Sequence, residues 1–443
     1  MTDSADPTPT DPVALLRSRS YVMLLALGAI IGIPVAVAAL LFLKGVAEVQ
    51  HYVYGTLPGE LGFDSQPTWW SIPFLALSGL LVALTIRFLP GTGGHRPAEG
   101  FKAAGPVLPI ELPGIILASF AALGLGVVLG PEAPLIALGG GIGVLAVHLL
   151  KHDAPETASV VVGAAGSFAA VSALFGSPLA GAFLMMEAVG LGGGMMGVVL
   201  LPGLLAAGIG SLMFVGLNNW TGIGNFSLAI PNIPPAGSPT GAEFLWAIVI
   251  GVAAAIIGTC IRRVALLLQG IIERRMLLLA PVAGLVIGVV VLVYVEATGR
   301  SSSDVLFSGE NALPLLIDNA AGWTVGALVL LFLCKGVAYS VALGGFRGGP
   351  IFPAMFIGAV GGIALSHLPG LPMIAGVAMG IGAMTVAMLG LPLTSVLLVT
   401  LFLQADGLTL MPFVIVAVVV SYVVTARLAP APAPALGPLP APS

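Results

Sequence analysis

Glu132 is a carboxylate set in apolar sequence, between Pro131 and Pro134 in the run GPEAPLIALGGGIG (130–143). An ionised carboxylate inside a membrane-embedded segment is costly unless positive charge compensates it. A helix start supplies that charge through unpaired N–H groups and the positive end of the helix dipole. The same N–H groups can hold a permeant anion. Carboxylate and anion then compete for one place, and protonation releases the carboxylate. One glutamate can therefore act as a gate and as a proton carrier, the plainer alternative being simple helix capping.

The run occurs twice. Residues 349–362 read GPIFPAMFIGAVGG, and both copies fit G-P-x-x-P-x4-G-x3-G, with Pro134 and Pro353 219 positions apart. Ile351 stands where the first copy has Glu132, so Ile351 and Phe352 can turn backbone N–H groups to an anion while their side chains pack; a kink with no ligand is the alternative. A second echo follows in the same order, GSPLAG at 176–181 and GLPLTS at 390–395. Two ordered doublets imply a duplicated chain. GTGG (91–94) offers a hydroxyl at Thr92 and close backbone approach at Gly93 and Gly94, although a plain loop reads the same way. Glu187 closes a short apolar segment and suits either a proton path or a structural place. Glu111 and Glu310 read as helix-start residues. Lys335 lies inside an apolar run and reads as snorkelling to the headgroups, or as lining a vestibule.

These residues sit in a chain of 443 residues that is 58% hydrophobic and 8% charged, with a mean hydropathy of +1.11. Such a composition leaves too few solvated groups for a soluble surface, and implies an all-α polytopic membrane protein. The 61 glycines and 35 prolines point to close helix packing and broken helices. No basic patch interleaved with aromatics suggests nucleic acid. Cys260 and Cys334 read as small buried hydrophobes, and no metal set, cofactor motif or nucleophile–base pair indicates an enzyme. The expected organisation is an N-terminal segment (1–20), a first membrane repeat (21–217), a linker (218–240), a second repeat (241–427) and a Pro/Ala-rich tail (428–443). Several apolar segments are shorter than the roughly 20 residues of an upright span, which fits half-length helices buried in protein. Arg17 and Arg19 place the N-terminus in the cytoplasm by the positive-inside rule, in a cell membrane.

Taken together, these motifs resemble the CLC family of chloride channels and chloride/proton antiporters, over about 20–427. GPEAP looks like the family's gating-glutamate motif, with Glu132 as the gate. GGPIFP (348–353) resembles the second pore motif, and GTGG stands at the family's first. The resemblance implies a fold of two inverted repeats with tilted, broken helices, a homodimer, and an anion site made by Thr92, Gly93, Ala133, Ile351 and Phe352. Chloride or a similar anion is the implied cargo, with protons as a second one in the antiporter branch. Four departures stand out. Pro131 and Ala133 replace the basic residue and the glycine around the gate, and Thr92 replaces a serine. The family's internal proton glutamate falls on Ala188, with Glu187 one place earlier, about 100° round a helix. The coordinating C-terminal tyrosine has no match, Tyr422 lying too early. Channel and antiporter both remain open on this reading. So do the choice of chloride or fluoride and a different duplicated transporter for another anion or small solute.

Overall fold

The structure is a computed structural model and describes residues 17–101, 107–150, 155–190, 194–221 and 240–429. Most of the expected tail, of the linker and of the N-terminal segment falls outside the described residues. Among the described residues, fourteen helices of seven residues or more follow one another. In the first half they are α1 (Arg19–His51), α2 (Ser71–Phe88), α3 (Leu112–Gly124), α4 (Glu132–Leu150), α5 (Glu156–Phe175), α6 (Pro178–Val189) and α7 (Gly194–Thr221). The second half has α8 (Gly241–Ile272), α9 (Met276–Thr298), α10 (Ala312–Asp318), α11 (Val325–Gly345), α12 (Ile351–Leu365), α13 (Met373–Leu389) and α14 (Pro392–Leu428). Among the described residues there is no strand, only an isolated bridge between Gly130 and Gly349.

Among the described residues, eight segments are long and apolar enough to cross a membrane. Others are half-length, as the short apolar runs predict: Pro178–Val189, Ile351–Leu365 and Met373–Leu389 among them. The helix of Pro392–Leu428 breaks at Gln404, whose φ is 50°. Outward faces of the long helices carry exposed leucines, such as Leu212, Leu245 and Leu267, suited to lipid. The helices α12 and α13 are apolar on every side because they are buried on nearly every side.

The closing glycines of the repeated motif have a packing role in both copies. Where α4 crosses α5, a Cβ on Gly139 would overlap the carbonyl of Gly166, and one on Gly143 that of Val162. Where α12 crosses α13, Gly358 and Gly362 stand in the same relation to the carbonyls of Gly380 and Gly376. Without the hydrophobic effect to join helices in lipid, close backbone contact of this kind supplies the packing. The G-x3-G spacing therefore holds each motif helix against the helix that follows it.

Two side chains depart from expectation. Lys335 does not snorkel: it is fully buried, and its Nζ donates to the carbonyls of Asp304, Val305 and Leu306 at 3.1–3.2 Å. The ammonium is solvated by the carbonyls of a backbone turn instead. Cys334 is buried as expected, but Cys260 is exposed on α8; an apolar run in a membrane protein does not distinguish core from lipid.

Candidate functional site

The first residues of α4 and α12 meet head to head. Gly130 N–H donates to the Gly349 carbonyl at 2.7 Å, and Gly349 N–H donates back to Gly130 at 2.5 Å. This pair of bonds pins two helix starts, 219 residues apart in sequence, to one buried point. Tyr339 of α11, itself buried, steadies the second start by donating from its hydroxyl to the Pro350 carbonyl at 2.7 Å.

Glu132 lies at this point and is fully buried. Its Oε1 accepts from the N–H of Phe352 at 2.8 Å. Its Oε2 is buried with no hydrogen-bond partner among the described residues. A carboxylate at the first residue of one helix is thus held by the start of the other. The glycines at 130 and 349 leave room for it, because a Cβ at either position would overlap the carboxylate oxygens. Phe352 and Ile351 are buried with their side chains in packing, Phe352 against Phe175 at 5.8 Å between centroids. Their backbone, not their side chains, faces the carboxylate.

Two cavities lie nearby. The first, about 480 Å³, is lined by Ala133, Gly93, Gly94, Glu111, Arg347 and Gly348 among others. The second, about 700 Å³, is lined by Thr92, Arg87, Arg96, Glu273, Arg274, Arg275 and Arg347 among others. The turn at 91–94 has positive φ throughout: 83°, 49°, 71° and 92°. Glycine adopts this region freely, and Thr92 pays a steric cost to do so. Thr92 lines the second cavity, and its carbonyl accepts from Nε of Arg347 at 3.3 Å. The structure therefore brings together Glu132, Ala133, Ile351 and Phe352. Gly93 shares the first cavity with Ala133, while Thr92 is set apart in the second by the left-handed turn.

Glu187 is committed elsewhere. Its carboxylate accepts from the N–H groups of Leu393 and Thr394 at 2.9 and 2.8 Å, and from the Thr394 hydroxyl at 2.7 Å. It caps the start of α14, the helix that opens with the second echo. Tyr422 is exposed near the C-terminal end of the same helix. Sequence reasoning passed over Arg347 and Tyr339. Arg347 stood in plain view as a charge inside GGFRGGP, whereas Tyr339 carried no signal, being one aromatic in a helical run.

A helical membrane protein that aims two glycine–proline helix starts at one buried carboxylate, with an arginine-lined cavity alongside, is an anion transport protein. The chain belongs to the voltage gated chloride channel family, whose model matches residues 78–426. A relative described as "Putative ion-transport protein YfeO", from Escherichia coli O7:K1 (strain IAI39), is 29% identical over 80% of this chain and 82% of its own. Among solved structures, a slow cyanobacterial Cl⁻/H⁺ antiporter superposes with a TM-score of 0.75 at 21% identity, covering 91% of this chain and 94% of that one. A CLC-type fluoride/proton antiporter gives 0.69 at 19% identity, covering 92% and 96%. The fold is thus the CLC fold, and a duplicated transporter of another kind is disfavoured.

Proposed function

We propose that Glu132 is the gate of a chloride-selective anion pathway, and that Ala133, Ile351 and Phe352 supply the backbone donors an anion takes when the carboxylate leaves. One observation carries this reading: the Glu132 carboxylate rests on the Phe352 N–H at 2.8 Å with its second oxygen unpartnered. That N–H suits an anion equally well. Protonation removes the charge that binds the carboxylate to the helix start, so flux rises as pH falls. Gly93 supports the same path from the first cavity.

Coupling to protons is weak on this reading. Glu187 spends both carboxylate oxygens on a helix cap, and Ala188 has no proton to offer. Coupled exchange through Glu187 is the second reading, favoured by the two antiporters of the same fold. Chloride and proton fluxes measured together from purified protein in liposomes separate the two. Under the gate reading Glu132→Gln abolishes the pH dependence of chloride flux, and an unchanged pH profile would refute it. The same vesicles loaded with fluoride test the choice of anion.

We further infer a cell-membrane location with the N-terminus in the cytoplasm. Arg87 at the end of α2 and Arg274 and Arg275 at the α8–α9 corner line one cavity. The positive-inside rule assigns that side to the cytoplasm, and two crossings by α1 and α2 put Arg17 and Arg19 there too. A homodimer, each subunit with its own pathway, follows from the family resemblance, and the mass of the purified protein in detergent tests it.

A further inference from the structure

Arg347 lies two residues before Gly349, in the link between α11 and α12, and is only 4% exposed. Its guanidinium presents five N–H donors in a planar fork. Nε donates to the Thr92 carbonyl at 3.3 Å and one terminal nitrogen to the Phe346 carbonyl at 3.2 Å. No carboxylate comes within 4 Å of it among the described residues, where Glu99 and Glu273 both pair with Arg96 instead. Glu273 and Glu99 act on it only from beyond that distance, with Arg96 opposing them. A buried guanidinium with no carboxylate against it is costly in a membrane protein unless something anionic visits it.

Its position names the visitor. Among the described residues Arg347 alone lines both cavities. On one side stand Arg87, Arg96, Arg274 and Arg275, with Glu273 as the one acid. On the other stands Ala133, the neighbour of Glu132. An anion drawn into the basic cavity meets the Arg347 fork next, then the gate. Thr92 borders the same junction and can add its hydroxyl.

We propose that Arg347 is an anion-binding residue for a halide or other small monovalent anion, at the junction between the basic cavity and the Glu132 site. The proposal rests on the anion-pathway reading above. A charge-assisted hydrogen bond lost from a bound anion corresponds to roughly a tenfold to hundredfold loss of affinity. Arg347→Gln should therefore raise the half-saturating chloride concentration by that factor, both in liposome flux and in calorimetric titration of the full chain in detergent. A wild type that carries no chloride defeats the reading of the previous subsection. A wild type that carries chloride, with the same half-saturation in Arg347→Gln, defeats this inference alone. Should Arg347→Gln fail to fold, crystals of the wild-type protein grown in bromide decide the matter. Anomalous density within about 4 Å of the guanidinium supports the site, using the usual ion-pair distance. Bromide found elsewhere along the pathway but not there overturns it.

Discussion

Alanine at position 349 should open the gate without altering the carboxylate. The added Cβ would overlap Oε2 of Glu132 and lie 2.7 Å from its Cδ, while the nearest backbone atom, Ala133 N, is 3.1 Å away. The backbone itself tolerates alanine, since φ at Gly349 lies outside the left-handed region. The far end of a flexible side chain is therefore what yields. Oε2 has no hydrogen bond to lose, so the cost of displacement is the bond from Phe352 N–H to Oε1. A hydrogen bond to a charged group is worth about 1.5–3 kcal/mol, which shifts the closed–open balance by roughly 10- to 150-fold. Chloride efflux from liposomes near neutral pH should rise towards the acid-stimulated rate, and the pH dependence should flatten. The double variant with Glu132→Ala is the control, because alanine at 132 removes the atoms in conflict. The two changes should then be strongly non-additive. Wild-type flux and pH dependence in Gly349→Ala, or simple additivity with Glu132→Ala, would refute the reasoning.

Other outcomes follow from the same geometry. Glu187→Ala removes three hydrogen bonds from the start of α14; it should lower the thermal midpoint, by about 1–3 kcal/mol of stability, and reduce chloride and proton fluxes together. Selective loss of proton flux would instead establish a proton path. Lys335→Met strands the carbonyls of residues 304–306, at a cost of at least about 2 kcal/mol, read as a lower detergent melting temperature with the chloride affinity unchanged. Gly362→Ala pushes a methyl into the Gly376 carbonyl. Because backbone and not a side-chain tip is in the way, it should destabilise the fold by about 1–3 kcal/mol, seen as loss of the monodisperse peak.

Much of the site was legible as pattern. Composition alone required a membrane chain, and the repeated glycine–proline frame marked both helix starts, with Glu132 as the one acid at either. The glycines at 139, 143, 358 and 362 were visible as part of the repeat, but the carbonyls that require them to be small became known only from the crossing helices. Distance was what sequence could not supply. That Gly130 and Gly349 pair directly, that Oε1 finds the Phe352 amide, and that Arg347 stands between two cavities all depend on how two remote segments are folded together. Lys335 and Glu187 show the same limit. In sequence each is a charge in apolar surroundings, open to several roles. Only the fold decides which backbone groups come within about 3 Å of it, and a hydrogen bond depends on that separation rather than on residue type.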